Sequence, residues 1–275
     1  MTKKTDFPYL HGFSETEQNR LRTQAEFAEH SVYQNINFSG AKKIIEVGCG
    51  VGAQSEILLR RFPRLHITGI DLNQKQLDAA KKFIGGISSA QGRFECQQMS
   101  ADALKFEANT FDGAFLCWIL EHVPNPAQVL SEVRRVLRPG AEIVVTEVMN
   151  SSFFLEPYSP FVWKYWMAFN DYQYDHAGDP FIGAKLGNLL TQVGYHQVKT
   201  EVKTWHFDNR QPDQRKQTIQ YWTELLLSAA DKLVEEKYVD QEVVTKAKEE
   251  LDRVANDPNA VCMYSFMQAS ARVYY

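Results

Sequence analysis

The sequence predicts an α/β fold: a doubly wound, mostly parallel seven-stranded sheet with helices on both faces, plus an aromatic insertion and a helical C-terminal addition. Three observations carry this expectation. Over residues 40–150, short apolar runs alternate with segments of helical period, the pattern of right-handed βαβ units. "KKIIEVGCGVGAQSEILL" sets three glycines on alternate positions between the first run and the first helix. After Met149 a stretch dense in aromatics shows no clean alternation, and helix and strand patterns then return.

Taken in order, Ser14 and Glu17 make a capping box, and Leu21, Ala25, Ala28 and Val32 form a helical stripe. Residues 1–38 are therefore expected to be an N-terminal helical lid. Ile44, Ile45 and Val47 read as a buried first strand, and Ala53, Ile57, Leu58 and Phe62 as a helix stopped by Pro63. "LHITGID" is the second strand. Asn73 and Gln76 suit the start of a helix whose Leu77, Ala80 and Ile84 face inward before Gly85 and Gly86 end it. "GRFECQQ" and "FDGAFLC" are the third and fourth strands. Asn125 and Pro126 fit N-cap and N1 of a helix reaching about Leu137, which Arg138-Pro139-Gly140 breaks before the fifth strand, "EIVVTEV".

Residues 40–150 thus form a ligand-binding core and 151–183 an aromatic insertion over it. The remainder, 184–275, supplies C-terminal helices and the last strands: "GAKLGNLLTQVGYHQVKTEVKTW" is a helix and strand, a helical pair covers roughly 215–256, and "VCMYSFMQASARVYY" is a final strand. With no repeat and no low-complexity linker, 1–275 reads as a single domain.

The chain is 44% hydrophobic and 23% charged with a formal net charge of −4, so no basic excess points to nucleic acid. "MTKKTDFPYLHGFSETEQ" lacks the apolar run of a secretory signal, and the longest apolar run, "FLCWIL", is too short to span a bilayer. Cys49, Cys96, Cys117 and Cys262 show no C-x-x-C pairing, the pattern of reduced core thiols. The expectation is a cytoplasmic protein with neither membrane nor nucleic-acid partner and with its oligomeric state open.

The glycine turn poses the functional question. A strand-to-helix turn aims the positive helix N-terminus at its ligand, and glycine lets that ligand lie on the backbone. Gly48, Gly50 and Ala53, with Asp71 some twenty residues on, match a dinucleotide fingerprint. Glu46 and Asp102 weigh against it: a carboxylate at the end of the first strand repels a pyrophosphate and attracts a cationic amino-acid ligand.

"IIEVGCGVGAQSEILL", "ITGIDLNQKQLDAA", "MSADALKFEANTFDGAF", "CWILEHVPNPAQVLSEVRRVLRPG" and "VTEV" resemble, in that order, the motifs of class I S-adenosylmethionine-dependent methyltransferases. The nearest group is the small-molecule branch that includes the ubiquinone/menaquinone C-methyltransferases. The resemblance implies a Rossmann-like fold and S-adenosylmethionine as cofactor, released as S-adenosylhomocysteine. It implies that Gly48, Cys49 and Gly50 receive the methionine moiety, with Glu46 beneath and Gly52 keeping the helix start open. Asp71 would accept both ribose hydroxyls, Leu72 and Gln76 would flank the adenosine, and Asp102 with Ala101 and Ala103 would meet the adenine amino group. Cys117 would offer its carbonyl to the ammonium, and Trp118 and Ile119 would line the methyl donor.

Tyr9, Arg20 and Gln24 are the lid residues expected to touch cofactor or acceptor; a helix that merely covers the core is the alternative. His122 and His176 are candidate bases, each with a structural alternative. Tyr158, Trp163, Trp166, Tyr172, Tyr174 and His176 are candidates for the wall holding a small aromatic or amine-bearing acceptor, against a plain packing cap. The expected chemistry is in-line displacement without a metal. A regulator that keeps the cofactor fold without turnover, a protein methyltransferase and a nicotinamide oxidoreductase remain as rivals.

Overall fold

The computed structural model describes residues 12–274. β1 (Lys43–Val47), β2 (His66–Asp71), β3 (Phe94–Gln98), β4 (Phe111–Cys117) and β5 (Leu137–Val148) lie parallel in the order β3-β2-β1-β4-β5. β7 (His196–Phe207) and β8 (Val261–Arg272) complete the sheet, β8 antiparallel to both β5 and β7. A three-residue strand, β6 (Phe154–Glu156), pairs the start of β8 on the flank where β5 stops: Val148 faces Phe266 and Phe154 faces Met263. It extends an occupied position, so the sheet is seven strands wide and mostly parallel, as the sequence predicts.

The helices form in each case for a local reason. Ser14 Oγ accepts from the Glu17 N–H at 3.1 Å and starts α1 (Glu15–Tyr33). Gly52, at φ 76, opens α2 (Ala53–Arg61). Asn73 caps α3 (Gln74–Gly85) through two backbone N–H groups, and Asn125 with Pro126 at N1 starts α4 (Pro126–Val136). α1 and α2 cover one face of the sheet, where Ile44 and Phe115 point; α4 and α6 (Leu186–Val193) cover the other, where Ile45 and Leu116 point. Alternation along doubly covered strands is therefore apolar on both sides, as in buried parallel sheets.

Three details differ from expectation. Arg138-Pro139-Gly140 ends α4 but already belongs to β5, because a register irregularity between Phe111 and Gly113 absorbs it, with Gly140 at φ 84. The aromatic stretch is a 16-residue helix, α5 (Pro160–Asp175), whose buried Val162, Tyr165, Trp166, Phe169 and Tyr172 recur at three- and four-residue steps. The C-terminal addition has three helices rather than two: α7 (Pro212–Leu227), α8 (Ala230–Glu235) and α9 (Gln241–Asn256), the last capped by Asp240. α9 packs on both α5 and α7, joining insertion and addition into one helical layer over the sheet edge.

The turn at 182–185, which leads into α6, packs on β5. A Cβ added at Gly183 would lie 2.5 Å from the Val148 carbonyl oxygen and 2.7 Å from that of Glu147, both backbone atoms that cannot swing away. Gly183→Ala is expected to destabilise the fold by about 1–3 kcal/mol, the range for overpacking. Urea unfolding should show a lower midpoint at unchanged slope; an unmoved midpoint would mean that the turn floats free of the sheet.

Candidate active site

The C-terminal ends of the parallel strands converge on one cavity of about 1040 Å³. Single-ligand pockets run roughly 300–1,000 Å³, so there is room here for two molecules side by side. The glycine turn forms its floor. Gly48 and Cys49 donate their N–H groups to the Ile70 carbonyl at 2.8 and 2.9 Å, which pins the turn to β2. Gly48 sits at φ 73, and a Cβ there would stand 2.9 Å from the Ile119 side chain, which therefore packs directly on the glycine turn. A Cβ on Gly50 would meet nothing within 4 Å; that position opens into the cavity.

Two acids flank the turn. Asp71 accepts from Gly50 N at 3.0 Å through Oδ2 and from Asn73 N at 2.8 Å through Oδ1. Burial raises its carboxyl above the ordinary value against those bonds. Glu46 lies below the floor, 3% exposed, and its Oε2 accepts from the Ser55 hydroxyl. Burial, partly offset by Ser55 and added to by the charge of Asp71, pushes Glu46 up to about 8.

Of the expected cofactor residues, Gly48, Cys49, Gly50, Asp71, Leu72, Gln76, Ala101, Asp102, Cys117, Trp118 and Ile119 line the cavity, as do Arg20 and Gln24 from α1. Glu46, Gly52 and Ala103 are not on its wall, and Tyr9 lies outside the described residues. The lining suits an adenosyl ligand. Leu72 stands 60% exposed as an apolar face, and Gln76, 2% exposed, leaves its Oε1 without a partner. A buried acceptor with nothing to accept from is costly unless a ligand supplies the donor.

The far end of the cavity is aromatic. Trp166, Phe169 and Tyr172 enter from α5, Tyr221 and Trp222 from α7, Trp205 from β7 and Tyr264 from β8. Three of the six expected wall residues reach it: Trp166, Tyr172 and His176. The other three do not. Tyr174 follows Tyr172 by two residues, about 200° around the helix, and is 62% exposed; Tyr158 precedes the helix and is 68% exposed. Trp163 instead packs edge-on against Phe153 at 5.9 Å.

The two histidines also take up definite roles. His176 stacks on Tyr172 with ring centroids 4.1 Å apart. Its Nδ1 donates to the Tyr172 carbonyl at 2.8 Å, and its Nε2 meets Glu236 at 3.2 Å, so both nitrogens serve to tie α5 to the segment after α8. His122 lines the cavity with Nε2 3.7 Å from Glu121.

Sequence reasoning passed over Glu121 in favour of its neighbour, and passed over Gln173, Tyr221, Trp222, Trp205 and Tyr264 altogether. The adjacent aromatics in "IQYWTELL" were the available signal for α7. Glu147 was missed too. Fully buried on β5, it accepts from Ile119 N at 3.0 Å and Leu120 N at 2.7 Å, and burial followed by the charge of Glu121 holds its carboxyl well above the usual range. The loop that it ties down carries Trp118 at φ 56, a conformation rare for a bulky residue and concentrated at functional sites.

Residues 45–145 match the family described as "Methyltransferase domain". The chain is 31% identical over 127 residues to the ubiquinone/menaquinone biosynthesis C-methyltransferase of Desulfotalea psychrophila, covering 46% of this chain and 50% of that one. It is 28% identical over 184 residues to the demethylmenaquinone methyltransferase of Lactobacillus johnsonii, covering 60% and 72% respectively. The chain thus spans about half the length of the first of these relatives. Among solved structures, one described as a putative methyltransferase from Bacillus halodurans superimposes with a TM-score of 0.57 at 16% identity, covering 90% of this chain and 97% of that one. This last similarity is one of fold.

The elevated Glu46 carboxyl has a measurable consequence. A carboxyl whose folded pKa, about 8, exceeds its free value of 4.5 contributes stability that is complete below pH 4.5 and lost as pH rises toward 8. The slope is at most about 1.4 kcal/mol per pH unit. Glu46→Gln has no such proton to lose, so between pH 5 and 8 its ligand-free Tm should fall less steeply than that of the wild type. Parallel curves would show that Glu46 is already ionised in the fold.

Proposed function

We propose, from the premise that the chain carries a class I S-adenosylmethionine-dependent methyltransferase domain, that it methylates a small aromatic or amine-bearing molecule held in the aromatic end of the cavity. The observation that carries this reading is the division of one cavity into two unlike halves. One half is a glycine floor with Asp71 and Asp102 on its wall; the other is a ring of Trp, Tyr and Phe side chains drawn from four elements. Such an apolar site with a few placed polar groups is the usual form of a small-molecule pocket.

When bound, the cofactor supplies a methyl group on a sulfonium, a leaving group that departs as a neutral thioether. The protein's part is then to bind, align and exclude water. Asp71, already oriented by Gly50 and Asn73, keeps lone pairs for the ribose hydroxyls, a charge-assisted contact. Leu72 offers its exposed side chain to the adenine, and the Gln76 Oε1 accepts from the adenosyl group. Cys117 and Trp118, at the end of β4, face the methionyl portion, and the Trp166–Phe169 stack at 5.5 Å closes the acceptor side. The acceptor attacks in line, and the reading needs no metal.

Two measurements test it. S-adenosylhomocysteine should raise the Tm of the protein where NADH does not, and Asp71→Asn should weaken that binding by about 1.5–3 kcal/mol in titration calorimetry, the range for hydrogen bonds to a charged group. Unchanged affinity in the folded variant would remove Asp71 from the site. Methyl transfer should continue in EDTA; activity lost to chelator and restored by magnesium would overturn the metal-independent reading.

A further inference from the structure

The acceptor end holds one charged group that methyl transfer to an aromatic ring would leave without a task. Glu121, in the 3-10 turn Leu120–His122, lines the cavity and is 8% exposed. Its position is set from both sides. Gln173 Nε2 donates to Oε2 at 2.8 Å, Asp179 N donates to the backbone carbonyl at 2.9 Å, and a Cβ on Gly178 would lie only 2.7 Å from that same carbonyl. The carboxylate is thus wedged between the β4 loop and the end of α5.

The surroundings are aromatic, and the basic side chains among the described lining residues are Arg20, His176 and His122, whose Nε2 stands 3.7 Å from Glu121 Oε1. Burial and then the charge of Glu121 push the Tyr264 phenol well above its ordinary range. Tyr221 stands at about 12 through burial, with Arg20 lowering it and the Glu121 charge raising it. The field of one carboxylate therefore reaches rings from α7 and β8 across the chamber. Among the described lining residues the one Lys or Arg is Arg20, and its guanidinium is gripped by both oxygens of Glu17, at 2.6 and 2.7 Å. Two further polar atoms wait in the same walls: Gln173 Oε1 and Trp222 Nε1 are buried without partners, in side chains 5% and 3% exposed. A buried carboxylate beside electron-rich ring faces favours a cation and repels an anion.

We propose that the acceptor is an amine, recognised by Glu121 and by the Tyr221, Trp222 and Tyr264 rings, and that the protein is an N-methyltransferase. This rests on the methyl-transfer reading above. The amine enters as an ammonium, the charge that Glu121 and the rings attract, and loses one proton to water before reaction, so that the bound free base keeps an N–H donated to Glu121. Its lone pair forms the new N–C bond as the C–S bond breaks, and that bond's electron pair leaves on sulfur. One positive charge moves from sulfur to nitrogen, so the product is an ammonium beside a carboxylate and aromatic faces, where the charge is best stabilised. Its extra proton is lost to water after release. A phenolate or carboxylate acceptor would have to bring negative charge against Glu121.

The test compares three probes of one skeleton on the protein saturated with S-adenosylhomocysteine: phenethylamine, 2-phenylethanol and 3-phenylpropanoate. Calorimetry should rank the amine at least tenfold tighter than the alcohol, with the carboxylate weakest. Glu121→Gln should abolish that preference while the Kd for S-adenosylhomocysteine stays put. Equal binding of the probes, preference for the carboxylate, binding of none, or an undiminished preference in Glu121→Gln overturns the proposal. The probe ranking on wild-type protein decides the matter even where the variant does not fold. Failure of S-adenosylhomocysteine itself to bind would instead sink the methyl-transfer reading.

Discussion

The site depends on a carboxyl group that is not on the cavity wall. Glu147 is fully buried at the end of β5, and its Oε1 takes the N–H groups of Ile119 and Leu120, which would otherwise be stranded where β4 ends. Buried backbone donors need partners, and the parallel sheet has none to offer past its last ladder bond. Supplying them from a side chain fixes three things together: the rare backbone of Trp118, the contact of Ile119 with Gly48 and the direction of Glu121. The cost is a carboxyl in a medium that penalises its charge, and burial followed by the charge of Glu121 holds it well above the usual carboxylate range.

The glycine-turn end of the cavity was legible because its constraints are local. A turn that needs glycine, a strand that ends in an acid and a helix that begins on Asn73 are written within a few residues of one another, and each constrains backbone rather than distant packing. The acceptor half was not. Its walls come from α1, α5, α7, β7 and β8, and no stretch of sequence announces that Trp166, Trp222 and Trp205 will share a chamber. In α5 the aromatic density hid the helical period: Trp163 and Tyr174 look no different in sequence from Trp166 and Tyr172, and only the rotation of the helix sorts them. The choice of His122 over Glu121 had a similar origin, since histidine carries the stronger catalytic prior and burial cannot be read from a loop.

His176 illustrates a second limit. A histidine in an aromatic stretch near a crevice suggests proton transfer, and its reach to the cavity is real. Yet its nitrogens are shared between the Tyr172 carbonyl and Glu236, so the ring works as a rivet where the insertion meets the helical addition. The same rivet is reinforced by Tyr238 Oη, which donates to Asp175 at 2.8 Å. Chamber shape and helical layer are therefore one problem in packing.

The place of β8 in the sheet bears on how the chain assembles. Among the described residues β7 finds its ladder only in β8, yet α7, α8 and α9 intervene between the two strands. During synthesis β7 emerges with twelve residues of unpaired backbone, and the strand that will cover it follows more than fifty residues later. Non-local pairing of this kind is slow, since loop closure precedes any reward in contacts. The sheet is completed only when β8 lies between β5 and β7, so the ladder of β7 waits on the last strand of the chain.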